Sequence, residues 1–338
     1  MFIYMNQQTF LDETFRHTLH KQIIKLCHSL DLPLHWNHFG PRKYTNYQRV
    51  GLIVLFLRSK KSLRDFIFEF KESLWSSWLG LKYSLKKSTL HDWLRMFDMK
   101  FLRRLHSLIL KNEKPSLMAI DATGIDSWQR SRHYEKRMFE MDPNLERNKK
   151  MSYAKLDAII DVHNGIIHDF VLRTKPRHDT IGAKTIFKRM KQKAVKILAD
   201  RGYDSEPLHR IVRKMGNILY AKLRKMKAGR PGGKYRRTCV IKDPDYNLRC
   251  RVESVFNSIK HRRINALRSK LPEMKKREVA WHIMIYNLEI IQRRSLIISW
   301  LLKKPFRTSL LNRKVFILLI TILYKYFYFW WIKWLEAV

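Results

Sequence analysis

Twice in this chain a short apolar run closes on an aspartate and a glycine follows within a few residues. The two blocks are Leu117-Met-Ala-Ile-Asp121-Ala-Thr-Gly124 and Val195-Lys-Ile-Leu-Ala-Asp200-Arg-Gly202-Tyr203. Runs of this length and composition, bounded by glycine turns, read as buried strands. Strand, carboxylate, then turn, used twice, delivers two acids to one end of a sheet. Any fold for this chain must contain that sheet, which makes the class α/β.

The residues between and around the blocks supply the rest of it. Runs 155–162 and 166–172 are apolar and separated by His163-Asn164-Gly165, a strong hairpin signal. Residues 179–193 read as a helix, 195–199 as a strand, 205–215 as a helix and 218–221 as the last strand. The order is therefore three strands, helix, strand, helix, strand, helix. Two polar stretches interrupt it. Residues 127–150 form a basic stretch too long for a tight turn, either a loop over a ligand or a surface excursion. Residues 222–237 are cationic and broken by Gly and Pro, which fits either a phosphate clamp or a solvated loop.

After the last strand comes a helix that carries one acid among cations. Asp243 can cap it, Pro244 sits at its first position where the missing N–H costs nothing, and periodicity continues to about Lys270, before Leu271-Pro272. At about 100° per residue, Tyr246, Arg249, Glu253, Asn257 and Lys260 fall within roughly 80° of arc, and Leu248, Val252, Val255, Phe256 and Ile259 form the burying face. A solvated face with helix-spaced ion pairs is the plain alternative. Residues 273–294 make a final amphipathic helix.

Before Lys111-Asn-Glu-Lys-Pro115, a plausible linker, the pattern is helical throughout. One buried helix spans 47–57. Ser62 caps a second over 63–72, and Ser88 or Thr89 caps a third through Leu90, Trp93, Leu94 and Phe97. With Lys82, Lys86 and Lys87 ahead of the third, two readings stand: a helix-turn-helix that places this helix in a DNA major groove, or an ordinary helical domain with basic loops.

Net charge selects the partner. The chain has 69 Lys and Arg against 29 Asp and Glu, a formal +40 that repels itself unless it meets a polyanion. Cations run from Arg42 to Lys333 rather than in one tail, as a long path of phosphate contacts requires. Cys27, Cys239 and Cys250 have no zinc or disulfide spacing, and the first residues show no secretory signal, so a reducing cytoplasm is expected.

Tyr246, Arg249, Glu253 and Lys260 reproduce, with intervals of two, three and six residues, the Tyr-Arg-Glu-Lys signature of insertion-sequence transposases. The chain resembles the DDE transposases of bacterial and archaeal insertion sequences over about residues 113–295. The Asp121 and Asp200 blocks look like the family's two aspartate blocks. The resemblance implies a ribonuclease H-like catalytic core over 113–295, preceded by a DNA-end-binding helical domain over 1–112, with Asp121, Asp200 and Glu253 converging as catalytic and metal-binding acids. It also implies that Tyr246, Arg249 and Lys260 serve bound DNA, and that double-stranded DNA, as element ends and target, is the partner of a homodimer assembled on it in the cytoplasm, at the nucleoid. Three carboxylates without a His/Cys cluster are hard ligands, suited to two Mg²⁺ or Mn²⁺ ions. Such a pair, about 3.5–4 Å apart, supports in-line displacement at phosphorus for strand cleavage and strand transfer. Asp126, Asp157, Asp161 and Asp204 are set aside; Asp157 and Asp161 lack the following turn, and Asp204 is expected to cap the next helix.

Two rivals remain: a hydrolytic nuclease of the same fold, which does not require the signature, and a decayed DNA-binding derivative. The tail, 296–338, has one acid, Glu336, amid aromatic and aliphatic residues and Lys. It reads, in order of preference, as an appendage from a decayed or shifted reading frame, a packed or dimer-contact helix, or a membrane-associated segment. Membrane insertion is disfavoured by Lys325 near the middle of its apolar stretch.

Overall fold

The computed structural model describes residue 19 and residues 21–36, 42–126, 140, 154–174, 178–223, 232–239 and 243–303, with side chains as far as 295. Most of the basic stretch 127–150, the middle of the cationic loop and the tail from 304 onward lie outside the described residues, and with them the expectations placed there. The chain divides into two compact units, Met1–Glu289 and Ile290–Val338. Every contact described below lies within the first. No helix among the described residues is long and apolar enough to cross a membrane.

Among the described residues, six helices precede the sheet: α1 (21–28), α2 (Asn46–Ser59), α3 (Leu63–Glu72), α4 (Trp75–Trp78), α5 (Lys87–Met96) and α6 (Met99–Ile109). Thr45 and Gln48 form a reciprocal capping box at the start of α2, which is buried almost all round. Ser62 caps α3 as expected, and Asp98 caps α6 by accepting from the Phe101 N–H at 2.7 Å. The start of α5 differs from expectation. It begins at Lys87, after Lys86, with no side-chain cap, so neither Ser88 nor Thr89 performs that role. Burial of Leu85, Leu90 and Trp93 anchors the helix, and an anchored apolar face extends a helix past its best cap residue.

Five strands follow among the described residues: β1 (Leu117–Ile125), β2 (Ala154–Asp161), β3 (Ile167–Arg173), β4 (Lys196–Ala199) and β5 (Ile218–Ala221). They form one mixed sheet in the order β3-β2-β1-β4-β5. β1, β2 and β3 pair antiparallel, while β4 and β5 join β1 in parallel. The hairpin falls at the turn the sequence marks. Gly165 adopts φ +69°, and the Asp161 carboxylate accepts from the His163 N–H and the Asn164 amide.

Helices α7 (Asp179–Arg189) and α8 (Glu206–Lys214) pack on one face of the sheet. Met118, Ile120, Ile159, Ile197, Ala199, Leu219 and Ala221 meet Ala183, Ile186, Phe187, Leu208 and Val212 there. α7 ends short of the expected Lys193 because Met190 turns extended and buries its side chain. Strand alternation sends Ala119 and Asp121 to the opposite face, where α9 (Arg251–Ile259) packs against β1. The last helix, α10 (Pro272–Lys303), is longer than expected from its periodicity.

The early helices are tied to the sheet and to α10. Arg103 on α6 donates to the Asp169 carboxylate at 2.5 Å and to the Phe170 carbonyl at 2.6 Å, with its guanidinium 4.2 Å from the Phe170 ring centre. Arg268 donates to the carbonyls of Lys60 and Lys61, just past α2, and Phe97 meets Trp281 edge-on at 6.0 Å.

Candidate active site

Parallel pairing of β1 with β4 ends at Ile120 opposite Ala199. The next residue on each strand is an acid, so Asp121 and Asp200 stand side by side where the parallel pairing stops. Only Asp200 ends its strand. The expectation that Asp121 closes β1 needs correcting, because antiparallel pairing with β2 carries β1 on to Ile125 opposite Ala154. Asp121 is half-buried within the strand, and Asp200 and Glu253 are exposed.

The signature segment is not one α-helix. Asp243 does cap it, accepting from the Asp245 N–H at 2.9 Å, and Pro244 does occupy the first turn. From Pro244 to Cys250, however, the backbone is a 3₁₀ helix; α9 follows, and then a π turn over Lys260–Ile264 that ends at Asn265 with φ 51°. At about three residues per 3₁₀ turn, side chains three apart eclipse, so Tyr246 and Arg249 lie one above the other rather than on a gradual arc. Lys260 opens the wide turn, and the structure gives it no hydrogen bond or ion pair with the acids.

Arg249 bridges two of the acids. One guanidinium nitrogen lies 3.1 Å from Asp121 Oδ2 and the other 3.4 Å from Glu253 Oε1. Asp121 Oδ1 accepts from the Ala122 N–H at 2.8 Å. Burial raises the Asp121 pKa above the usual carboxylate value; the Ala122 N–H and Arg249 oppose this, and the neighbouring charges of Asp200 and Glu253 add to it. Burial works against the charge on Arg249, but Asp121, Asp200, Tyr246 and Glu253 together hold its pKa above normal. All five side chains therefore share one electrostatic neighbourhood. The Tyr246 hydroxyl is engaged by the protein itself, donating to the Ala199 carbonyl at 3.2 Å.

Two residues that sequence reasoning missed hold the segment in place. Lys196 on β4 reaches Asp243 Oδ2 at 2.9 Å and Asp245 Oδ2 at 2.8 Å, and the Tyr220 hydroxyl accepts from the Asp243 N–H at 3.2 Å. The acid pair of Asp243-Pro-Asp245 signals that a cation is needed, but not which of 69 supplies it.

The rejected acids Asp157 and Asp204 have structural partners. Asp157, fully buried on the α7 face, binds Arg173 through both oxygens at 2.6 and 2.7 Å. Asp204 does not cap α8. Its buried carboxylate takes Arg236 at 2.6 Å through each oxygen, while Ser205 holds the cap position and makes no side-chain cap bond. Pro207 at the second helical position removes an N–H that such a cap would have satisfied.

As donors, Asp121, Asp200 and Glu253 offer oxygen only, and the repulsion of the other two acids on half-buried Asp121 calls for a cation. Hard divalent ions fit that set. Among the described residues no three His, Cys, Asp or Glu side chains are already drawn into a metal-binding group; the cation between Asp121 and Glu253 is Arg249.

The family model for the transposase DDE domain matches residues 112–288, just over half of the chain, and the chain belongs to this family. No curated protein matches it. Among solved structures, it is similar to piggyBac transposase in a synaptic complex with hairpin DNA, determined by cryo-EM, at 12 % identity over 83 % of this chain and 73 % of that one. The TM-score of 0.48 marks a likeness too slight to argue from.

Proposed function

We propose that this chain is an insertion-sequence transposase of the Tyr-Arg-Glu-Lys type, which binds the ends of its element as a homodimer and cleaves and transfers DNA strands in the cytoplasm, at the nucleoid. What supports this reading is that Arg249 bridges Asp121 and Glu253 while Asp200 follows the last residue of β4 paired with β1, within a DDE transposase domain. A charge of +40 makes DNA the fitting partner. Helices α2–α6, with Lys82, Lys86 and Lys87 ahead of α5, supply an end-reading surface.

Asp121 and Asp200 would be the central ligands for Mg²⁺ or Mn²⁺, and Glu253 would complete the set. Two bound ions supply activation of a water or 3′-hydroxyl and stabilisation of the leaving oxygen. The protein's own groups do the rest. Tyr246 braces the peptide before Asp200, Arg249 binds a phosphate of the element end by its planar fork, and Lys260 reaches a neighbouring phosphate as a point charge. No side chain need form a covalent bond to DNA.

The test is to incubate purified protein with its own element's end and Mg²⁺, and to map the products. Cleavage at the element boundary that leaves a 3′-hydroxyl and stops with chelator is expected. End binding without any metal-dependent cleavage would favour a decayed derivative, and cleavage without preference for the boundary would favour a nuclease.

A further inference from the structure

Both oxygens of Asp121 are in use. Oδ1 accepts from the Ala122 N–H at 2.8 Å, a bond local to the strand, and Oδ2 faces Arg249 at 3.1 Å. The same guanidinium reaches Glu253 Oε1 at 3.4 Å with its second nitrogen. Side-chain exposure is 20 % for Arg249, 21 % for Asp121 and 59 % for Glu253, so the bridge is closed on the sheet side and open at Glu253. The outward oxygen of Asp121 and one oxygen of Glu253 thus already face a cation.

We infer that Arg249 is the counter-ion of the acidic site in the absence of DNA, and that guanidinium and divalent metal compete for the same carboxylate oxygens. The inference rests on the metal-dependent reading above and adds a property of this chain's own residue to it. A guanidinium and a dication on shared oxygens repel one another, so binding of one disfavours the other. What draws Arg249 away is phosphate, which accepts its planar fork in two parallel hydrogen bonds.

The neighbouring structure suits such an exchange. Arg249 lies near the end of the 3₁₀ segment, whose first turn is moored by Lys196 and Tyr220 and whose Tyr246 is held by Ala199. The backbone stays in place while the long side chain changes acceptor. DNA binding thereby frees Asp121 Oδ2 and Glu253 Oε1 for metal. By linkage, metal tightens DNA binding by the same factor.

Mn²⁺ binding to the full chain, followed by calorimetry with and without a short random-sequence DNA duplex, tests this after subtraction of Mn²⁺ binding to the duplex alone. In wild type, affinity should rise about tenfold when DNA is present. Arg249→Gln should bind Mn²⁺ about tenfold more tightly than wild type without DNA, and lose the dependence on DNA. Unchanged or weaker Mn²⁺ binding by Arg249→Gln overturns the inference. Should that variant fail to fold, the wild-type comparison decides alone, and equal affinity with and without DNA overturns it. Failure of the underlying reading looks different: no Mn²⁺ binding under any condition, or undiminished binding by Asp121→Asn, removes the metal site itself.

Discussion

The Tyr246 hydroxyl donates to the carbonyl of Ala199 at 3.2 Å, so a residue of the signature segment holds the peptide that presents Asp200. Tyr220 meets the same ring edge-on at 5.5 Å, and Lys222 lies over it at 5.2 Å. Tyr246→Phe keeps these ring contacts and deletes one hydrogen bond, a net loss of about 1 kcal/mol. Stability and end affinity should change little while the single-turnover cleavage rate falls. Equal loss of affinity and rate would place the hydroxyl on DNA instead.

Asp157 is a structural acid, and its removal should show in stability. Asp157→Ala deletes the bidentate acceptor of Arg173, whose side chain is 9 % exposed, and breaking a buried pair costs about 3–5 kcal/mol. Gly182 on α7 reports on the same contact. A Cβ there would lie 2.4 Å from the Asp157 carboxylate, so Gly182→Ala should destabilise by about 1–3 kcal/mol. In the Asp157→Ala background the same change should cost less. Urea melts of the three variants check this, and simple additivity would mean that the two residues do not press on each other.

Much of this fold is legible in the sequence because its signals are local. Short apolar runs mark the strands, His163-Asn164-Gly165 marks the hairpin, and Asp243-Pro244 marks the start of the signature segment. What is not legible depends on partners. β1 continues past Asp121 only because β2 returns alongside it as far as Ala154. The intervals among Tyr246, Arg249, Glu253 and Lys260 suit any helical backbone, so they did not reveal a 3₁₀ segment, an α-helix and a π turn in succession. Lys196 was invisible as the mooring of Asp243, and Arg236 as the partner of Asp204, since each pairing joins elements far apart in the chain.

Buried histidines make the fold sensitive to acid. Burial lowers the pKa of His106 and of His282 to about 3, and that of His168 to about 4, from 6.5. Below about pH 6.5 the unfolded chain takes up protons that the folded chain refuses, so stability falls as pH falls and goes on falling until the folded values are reached. The slope is about 1.4 kcal/mol per pH unit for each group. Denaturant melts between about pH 6.5 and 4.5 should show it, and His282→Gln should reduce the slope by about one such increment. An unchanged slope would mean that His282 titrates alike in both states.

Electrostatics should dominate DNA affinity. With a formal charge of +40, the logarithm of the association constant for duplex DNA should fall with the logarithm of salt concentration by about 0.9 per phosphate neutralised. Fluorescence anisotropy across a salt series measures it, and a flat response would remove nucleic acid as the reason for the charge.

The central claim is that Asp121, Asp200 and Glu253 are one catalytic set. Asp121→Asn, Asp200→Asn and Glu253→Gln each remove a ligand charge while leaving the cationic residues in place. The most direct measurement compares Mg²⁺-dependent cleavage of labelled element ends with end binding for these three variants and wild type. Cleavage should be abolished in all three, while end binding measured without divalent metal is not weakened. Cleavage that survives in any one of them would contradict the assignment.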